Sequence, residues 1–263
     1  MELINHHARR NRPRVGSVRA LIILPTYNEV ENIVEVLEAA RENLPQADIL
    51  VVDDNSPDGT ADLAEATGQI LQQITVMRRS TKAGLGSAYR AGFRYGLENG
   101  YEVMFEMDSD FSHPPAALPE LYGAIESGAD LVIGSRYVPG GSIPNWSFHR
   151  LLLSRWANKY ASWALKIPVQ DLTAGYRAYR ASLLREINLD TISAEGYAFQ
   201  VEMTYAAVRN GGDVVEVPIA FTDRLRGVSK MSGTIVVEAM RLVTWWGIRD
   251  RFRVGRRTAS PET

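Results

Sequence analysis

The sequence predicts an α/β protein with a mostly parallel central sheet flanked by helices. Three observations point there. Short apolar runs bounded by turn residues recur through the first half, stretches of helical period separate them, and polar clusters follow three of the runs directly. Strands alternating with helices imply right-handed crossovers and parallel pairing, and such sheets bind ligands beyond the carboxyl ends of their strands.

The run Ala20 to Leu24, ended by Pro25, reads as a buried strand. Glu29 to Leu44 has apolar residues at Val30, Ile33, Val34, Leu37 and Ala40, a helical period closed by Pro45. Ile49 to Val52 is a second strand, followed by the turn Asn55-Ser56-Pro57-Asp58-Gly59 and a short helix from Thr60. Ile74 to Met77 and Val103 to Met107 are strands on either side of a helix over Leu85 to Glu98. A helix over Leu118 to Glu126 and a strand over Leu131 to Gly134 follow. After residue 138 the pattern changes: helices over Trp146 to Leu165, Tyr197 to Arg209 and Thr234 to Ile248, with strands near Tyr176 to Tyr179 and over Val214 to Ile219. This second half completes the crevice and adds helices to its rim.

The 263 residues favour one domain with appendages. At 45% hydrophobic and 23% charged the chain can bury a sizeable core. A net charge of −2 gives no overall pull toward nucleic acid, and none is expected as a partner. Arginines do cluster at both ends (Arg9, Arg10, Arg12, Arg14; Arg249, Arg251, Arg253, Arg256, Arg257), as solvated tails or as a weak attraction to anionic lipid. The lack of cysteine excludes disulfides, thiolate metal sites and a cysteine nucleophile, and fits a reducing cytosol. The N-terminus carries Arg and Asn where a signal peptide needs an apolar core, and no apolar run approaches the ~20 residues that span a bilayer. Any work on lipid is therefore expected from the surface.

Asp108 and Asp110 stand one residue apart at the end of an apolar strand. Residues i and i+2 of an extended chain face one side, so the two carboxylates converge where a cation would relieve their repulsion. Hard ions such as Mg²⁺ and Mn²⁺ take such oxygen ligands and leave positions for substrate phosphates. Asp and Ser also suit a plain solvated turn; two further acidic clusters at the same sheet end favour a site. Asp53-Asp54, at the tip of the second strand, suits ribose hydroxyls or a base edge, with Asp58 or Thr60 the better helix cap. Tyr27-Asn28-Glu29 suits a base, and equally a helix start with Asn28 as cap and Glu29 in the first turn. The Gly-rich Lys82–Tyr89 (KAGLGSAY) suits close approach to an anion but lacks Walker spacing, and a simple helix start is the plainer reading. His113 is expected to pack beside Pro114-Pro115 rather than act as a base. No G-x-G-x-x-G follows the first strand, against a Rossmann oxidoreductase.

Eight segments stand in order over roughly residues 19–233: LPTYNE (Leu24–Glu29), VVDDNSPDGT (Val51–Thr60), KAGLGSAY, MDSDFSHPP (Met107–Pro115), GSRYVPGG (Gly134–Gly141), DLTAGYRAYR (Asp171–Arg180), GYAFQVEM (Gly196–Met203) and RLRGVSKMS (Arg224–Ser232). Together they resemble the dolichol- and polyprenol-phosphate mannosyltransferases, inverting enzymes of the GT-A fold. The resemblance implies GDP-mannose as donor, a polyprenyl phosphate as acceptor, and Mg²⁺ or Mn²⁺ as cofactor. It implies nucleotide contacts at Pro25, Tyr27, Glu29 and Asp53, and a metal and diphosphate centre at Asp108 and Asp110. Arg136 and Arg150 would hold the acceptor phosphate, Arg224 and Lys230 would close over the donor phosphates, and Gln200 and Glu202 fall on the sugar side. Ser112 departs from the pattern, since many relatives have Gln there as a potential further metal ligand.

The resemblance divides the chain into a flexible basic arm (1–18), a catalytic domain (19–233), an amphipathic membrane-associating helix (234–254) and a disordered tail (255–263). A phosphate monoester, with a second pKa of about 6, is already largely an anion near neutral pH and needs orientation more than a general base. In-line attack on an α-linked donor would give a β-linked mannosyl phosphate. Trp245-Trp246 with Arg249, Arg251 and Arg253 suits an in-plane interfacial helix, with Trp146–Leu165 a second candidate. Attachment is expected to be peripheral, on the cytoplasmic face of the membrane, assisted by a separate integral membrane protein. The rival readings are glucosyl transfer from UDP-glucose to the same lipid, and a non-catalytic sugar-nucleotide or lipid-binding scaffold.

Overall fold

Most apolar runs of the first half become strands because helices bury both their faces, while Ile74–Met77, at the sheet edge, is only partly buried. In the computed structural model, which describes residues 18–222 and 240–249, the strands are β1 (Ala20–Thr26), β2 (Ala47–Asp53), β3 (Ile74–Arg78), β4 (Val103–Glu106), β5 (Leu131–Ser135), β6 (Arg177–Arg180) and β7 (Val214–Pro218). The helices are α1 (Ile33–Asn43), α2 (Thr60–Leu71), α3 (Leu85–Glu98), α4 (Leu118–Glu126), α5 (Phe148–Leu165), α6 (Ala181–Glu186) and α7 (Gly196–Arg209). Residues 240–249 are also helical.

The described strands form one sheet in the order β3-β2-β1-β4-β6-β5-β7. All pairings are parallel except those of β6, which runs antiparallel between β4 and β5. The order reverses at β1, whose neighbours are β2 and β4, and a crevice opens beyond the carboxyl ends at such a switch point.

Alternation along the strands divides the core into two layers. Leu21, Ile23, Leu50, Val52 and Met104 meet Tyr89 and Phe93 of α3 on one face. Ala20, Ile22, Leu24, Ile49, Val51 and Phe105 meet α1 and α4 on the other. Each of the larger side chains contributes about 1.5–3 kcal/mol by leaving water. Helix α3 lies close because Gly92 faces β1: a Cβ there would stand 2.5 Å from Ile23 Cγ2.

Several boundaries differ from expectation by a residue or more, two of them with a clear cause, and one helix was not expected. Strand β1 continues through Pro25, which pairs with Val52. The β1–β4 ladder has ended at Ile23–Glu106, and the Pro25 carbonyl instead accepts from Ser109 Oγ at 3.1 Å. The missing N–H thus falls where no ladder partner stands. Helix α1 starts at Ile33 rather than Glu29, because Asn28 takes a left-handed φ of 60° and residues 30–32 form a turn. Asn32 holds the N-cap position without a side-chain cap bond, so Asn28 does not cap this helix. The short helix α6, directly after β6, has no counterpart in the sequence reading.

Candidate active site

Asp53 ends β2 with its carboxylate turned inward. It accepts from Thr26 Oγ1 (2.9 Å), Ser56 N–H (2.9 Å) and Ser56 Oγ (2.6 Å), and is 2% exposed. It thereby clamps the β1 and β2 tips together. The next residue, Asp54, lines the cavity, pairs with Arg79 at 2.8 Å and accepts from Ala83 N–H at 3.2 Å. Gly59, not Asp58 or Thr60, holds the N-cap of α2, without a side-chain cap bond, while Asp58 accepts from Thr60 N–H and Oγ1 and from Val30 N–H. Burial acts against the Asp58 charge, but these hydrogen bonds outweigh it and hold the carboxyl below its ordinary value. Glu29 and Tyr27 line the cavity, with Glu29 accepting from Asn32 Nδ2 at 2.9 Å and Lys82 standing 3.7 Å over the Tyr27 ring.

The Gly-rich segment serves as a helix start. Glu195 accepts from the N–H groups of Gly86 (2.8 Å) and Ser87 (3.4 Å) and pairs with Arg90 at 2.8 Å. A Cβ at Gly84, whose φ is +94°, would meet Glu195 Oε2 at 2.6 Å, so this approach requires glycine. The protein's own carboxylate occupies the end where an anion was conceivable.

Asp108 and Asp110 both line one cavity of about 520 Å³. Strand β4 ends at Glu106, so a turn brings them there rather than strand alternation. Phe111 holds a left-handed φ of 61° in this turn, and its carbonyl accepts from Thr222 Oγ1. Asp108 Oδ1 accepts from Tyr89 OH at 3.2 Å, and Asp110 Oδ1 from Ser112 N–H at 3.0 Å. Burial and the neighbouring Asp108 raise the Tyr89 pKa, so the phenol stays a donor. His113 Nδ1 accepts from Asp108 N–H at 3.0 Å, and its ring stacks on Tyr176 at 5.0 Å, not merely on the adjacent prolines. No cluster of three or more His, Cys, Asp or Glu occurs among the described residues. Two carboxylates suit a hard cation that shares its remaining positions with water and phosphate oxygens.

Under this turn, Glu106 is fully buried and its carboxyl is pushed up to about 8. Burial is the main cause, Arg177 and Gln200 oppose it, and Asp108 reinforces it. Arg177, also without exposed surface, donates to the carbonyls of Leu172, Ala174 and Gln200 and to Thr204 Oγ1. It ties the loop before β6 to α7.

On the opposite side of the cavity, Arg136 follows β5. Its backbone N–H, Nε and Nη2 all donate to Asp171, at 3.0, 2.7 and 2.7 Å, and Nη2 also to Thr173 Oγ1 at 2.8 Å. Burial opposes the charge, yet Asp171 raises the pKa. Glu216 of β7 orients Asp171 by accepting its N–H at 2.9 Å, and Asn158 of α5 donates to Thr173 Oγ1 at 3.1 Å. Arg150 stacks on Trp146 at 3.9 Å, while Arg136 stands 5.6 Å from the same ring and 5.4 Å from Phe221. Arg136 gives Nε and Nη2 to Asp171 and Thr173, which fix its guanidinium plane beside these rings.

Of the residues singled out from sequence, Pro25, Tyr27, Glu29, Asp108, Asp110, Arg136, Arg150 and Gln200 line this cavity together. Asp53 stands behind it as the clamp described above. Glu202 points to the preceding loop, accepting from the N–H groups of Ser193 (3.1 Å) and Ala194 (2.9 Å), with burial raising its pKa. Arg224 and Lys230 lie outside the described residues. Sequence reasoning missed Tyr89, Trp146, Asp171 and Phe221. Asp171 had a signal, as the acid in a segment that also carries a buried arginine, but the pairing across 35 residues had none.

Together with the match to a family model, the crevice at the switch point of this sheet and its acidic turn after β4 are those of a glycosyltransferase of the GT-A fold. The chain belongs to glycosyl transferase family 2, whose model matches residues 21–188. It is 52% identical over 234 residues to polyprenol monophosphomannose synthase of Mycolicibacterium smegmatis, covering 89% of this chain and 88% of that one. It is 51% identical over 235 residues to undecaprenyl-phosphate mannosyltransferase of Micrococcus luteus, covering 89% and 96%. Among solved structures it is similar to Mycobacterium tuberculosis glucosyl-3-phosphoglycerate synthase in complex with Mn²⁺, UDP and phosphoglyceric acid. That match has a TM-score of 0.67 at 18% identity, over 88% of this chain and 78% of that one.

Proposed function

We propose that this enzyme transfers mannose from GDP-mannose to a polyprenyl phosphate, forming polyprenyl β-mannosyl phosphate with inversion. The observation that carries the reading is one cavity lined both by Asp108 and Asp110 and by Arg136 and Arg150. The first pair suits a cation-bound diphosphate and the second suits a phosphate nucleophile. The names of the mycobacterial and Micrococcus relatives, whose lengths this chain nearly spans, support the sugar and the lipid.

Asp108 and Asp110 would hold Mg²⁺ or Mn²⁺, which when bound supplies Lewis-acid stabilisation of the leaving diphosphate. Tyr89 OH and Ser112 N–H fix those carboxylates, and His113 holds the Asp108 backbone N–H. Pro25, Tyr27, Glu29 and the Asp53–Asp54 tip shape the nucleotide end, Gln200 faces the sugar, and Arg224 and Lys230 neutralise the diphosphate. Arg136 and Arg150 orient the acceptor phosphate, which attacks without a general base. His113 Nδ1 is already committed to the Asp108 N–H.

The lipid arrives from a membrane surface. Phe148, Leu152, Leu153, Trp156 and Trp163 of α5 are exposed, interleaved with exposed Arg155 and Lys159. Tyr160 OH meets Thr244 Oγ1 at 2.8 Å, joining α5 to the helical residues 240–249, where Trp245 and Ile248 are exposed. No helix among the described residues is long and apolar enough to cross a membrane. Such faces suit peripheral attachment on the cytoplasmic side, next to an integral membrane partner.

The test is incubation with labelled GDP-mannose and polyprenyl phosphate, with and without chelator, beside UDP-glucose and the Asp110→Ala variant. Lipid-extractable mannose that disappears with chelator and with Asp110→Ala is expected. Transfer from UDP-glucose but not GDP-mannose would overturn the donor, and full activity of Asp110→Ala would overturn the metal centre.

A further inference from the structure

Beneath the acidic turn lies a polar cluster of which Gln200 alone entered the chemistry just described. Glu106 and Arg177 share one register position across β4 and β6. Arg177 gives its hydrogen bonds to neutral acceptors. Neither oxygen of Glu106 has an aligned hydrogen-bond partner, and neither has Oε1 or Nε2 of Gln200. Buried polar groups in native proteins are nearly always hydrogen-bonded. With the Glu106 carboxyl and the Gln200 amide within reach of each other, one amide edge is left for a further partner.

Gln200 is only 2% exposed, yet it lines the cavity. Its amide lies against the Glu106 carboxyl. The wall beside it is Gly175: a Cβ there would stand 3.7 Å from Gln200 Nε2 and 3.4 Å from His113 Cε1. Such a Cβ would only touch both groups, so the amide stands beside a stretch of wall that carries no side chain. A side-chain amide has a carbonyl edge and an NH₂ edge, so one edge can be held from below while the other faces a ligand.

We propose that Glu106 is a positioning residue for donor recognition, holding one edge of the Gln200 amide so that the other meets a hydroxyl of the donor hexose. This rests on the cavity being a sugar-nucleotide site and extends it to a residue behind the cavity wall. A neutral amide of fixed orientation matches a hydroxyl, and a site built to pair with a hydroxyl discriminates by it. The phosphates meet the charged groups instead.

The test compares binding of GDP and GDP-mannose by calorimetry, with Mg²⁺, in wild type, Glu106→Leu, Gln200→Leu and the double variant. Each single variant is expected to weaken GDP-mannose about tenfold, equivalent to about 1.4 kcal/mol, and to leave GDP unchanged. The double variant should bind no more weakly than Gln200→Leu alone, because the two residues act through one contact. Equal weakening of GDP and GDP-mannose overturns the proposal, since the fault would then lie in the diphosphate centre. Additive losses, or an unchanged affinity for GDP-mannose, also overturn it.

Glu106→Leu removes a buried carboxyl beside Arg177 and can disturb packing there, so Glu106→Gln is measured beside it. That variant keeps the side-chain volume and one acceptor. A loss of about threefold confined to the sugar-bearing ligand is expected, and no such loss counts against the idea. A wild-type chain that binds UDP-glucose in place of GDP-mannose fails the donor reading alone, and the same comparison against UDP then tests Glu106.

Discussion

Replacing Asp171 by Asn tests how the acceptor side of the crevice is held. The carboxylate takes three hydrogen bonds from Arg136, at 2.7, 2.7 and 3.0 Å. Arg136 is 5% exposed and Asp171 not at all. Hydrogen bonds to charged groups contribute about 1.5–3 kcal/mol each, so the gross loss is large. Removing one member of a buried pair, however, costs about 3–5 kcal/mol net, most of it the stranded charge. Asp171→Asn should therefore lose about 3–5 kcal/mol in urea unfolding followed by circular dichroism. The double variant Arg136→Met with Asp171→Leu should lose markedly less than the sum of its single variants. A single-variant loss below about 1 kcal/mol, or simple additivity, would refute the view that Asp171 exists to hold Arg136.

Trp146→Ala should raise the KM for polyprenyl phosphate by about two- to thirtyfold, the range of a cation–π contact, because Arg150 loses the ring on which it stacks. The KM for GDP-mannose should stay put, and an unchanged acceptor KM would count against that role. Gly92→Ala should destabilise the fold by about 1–3 kcal/mol through overpacking against Ile23, read as a lower midpoint in urea with the same slope. Asp58 is held below its ordinary 3.8. Its contribution is thus present above that pH and lost as pH falls through the lowered value. Asp58→Ala should be less stable than wild type at pH 7, with the gap closing in acid melts.

The strand–helix alternation was legible because each run such as Ile49–Val52 is buried on both faces, and that leaves an uninterrupted apolar signature. Strand ends were less so. Pro25 reads as a stop, yet it pairs normally because its unpaired side faces past the end of β4. The direction of β6 was not legible at all: four residues, RAYR, carry no mark of antiparallel pairing. At the site, motif order located the acidic turn and the arginines. It did not separate Asp53 from Asp54, or Gln200 from Glu202. Neighbours on one tip or one helix turn diverge in role according to which backbone N–H groups lie nearby. Serine hydroxyls and loop amides took Asp53 and Glu202.

The reversed strand β6 also sets an order of assembly during synthesis. Strand β4 ends at residue 106 and its antiparallel neighbour begins at residue 177, so 70 residues separate the two. At about 5–20 residues per second, translation leaves that side of β4 unpaired for roughly 4–14 s. Throughout that interval the nascent chain presents an apolar strand edge of the kind that recruits foreign strands. The donor half of the crevice is already folding while the acceptor half has no frame to join. Ribosome-bound chains of this enzyme should therefore be substrates for chaperones until the strand that closes the gap has been made.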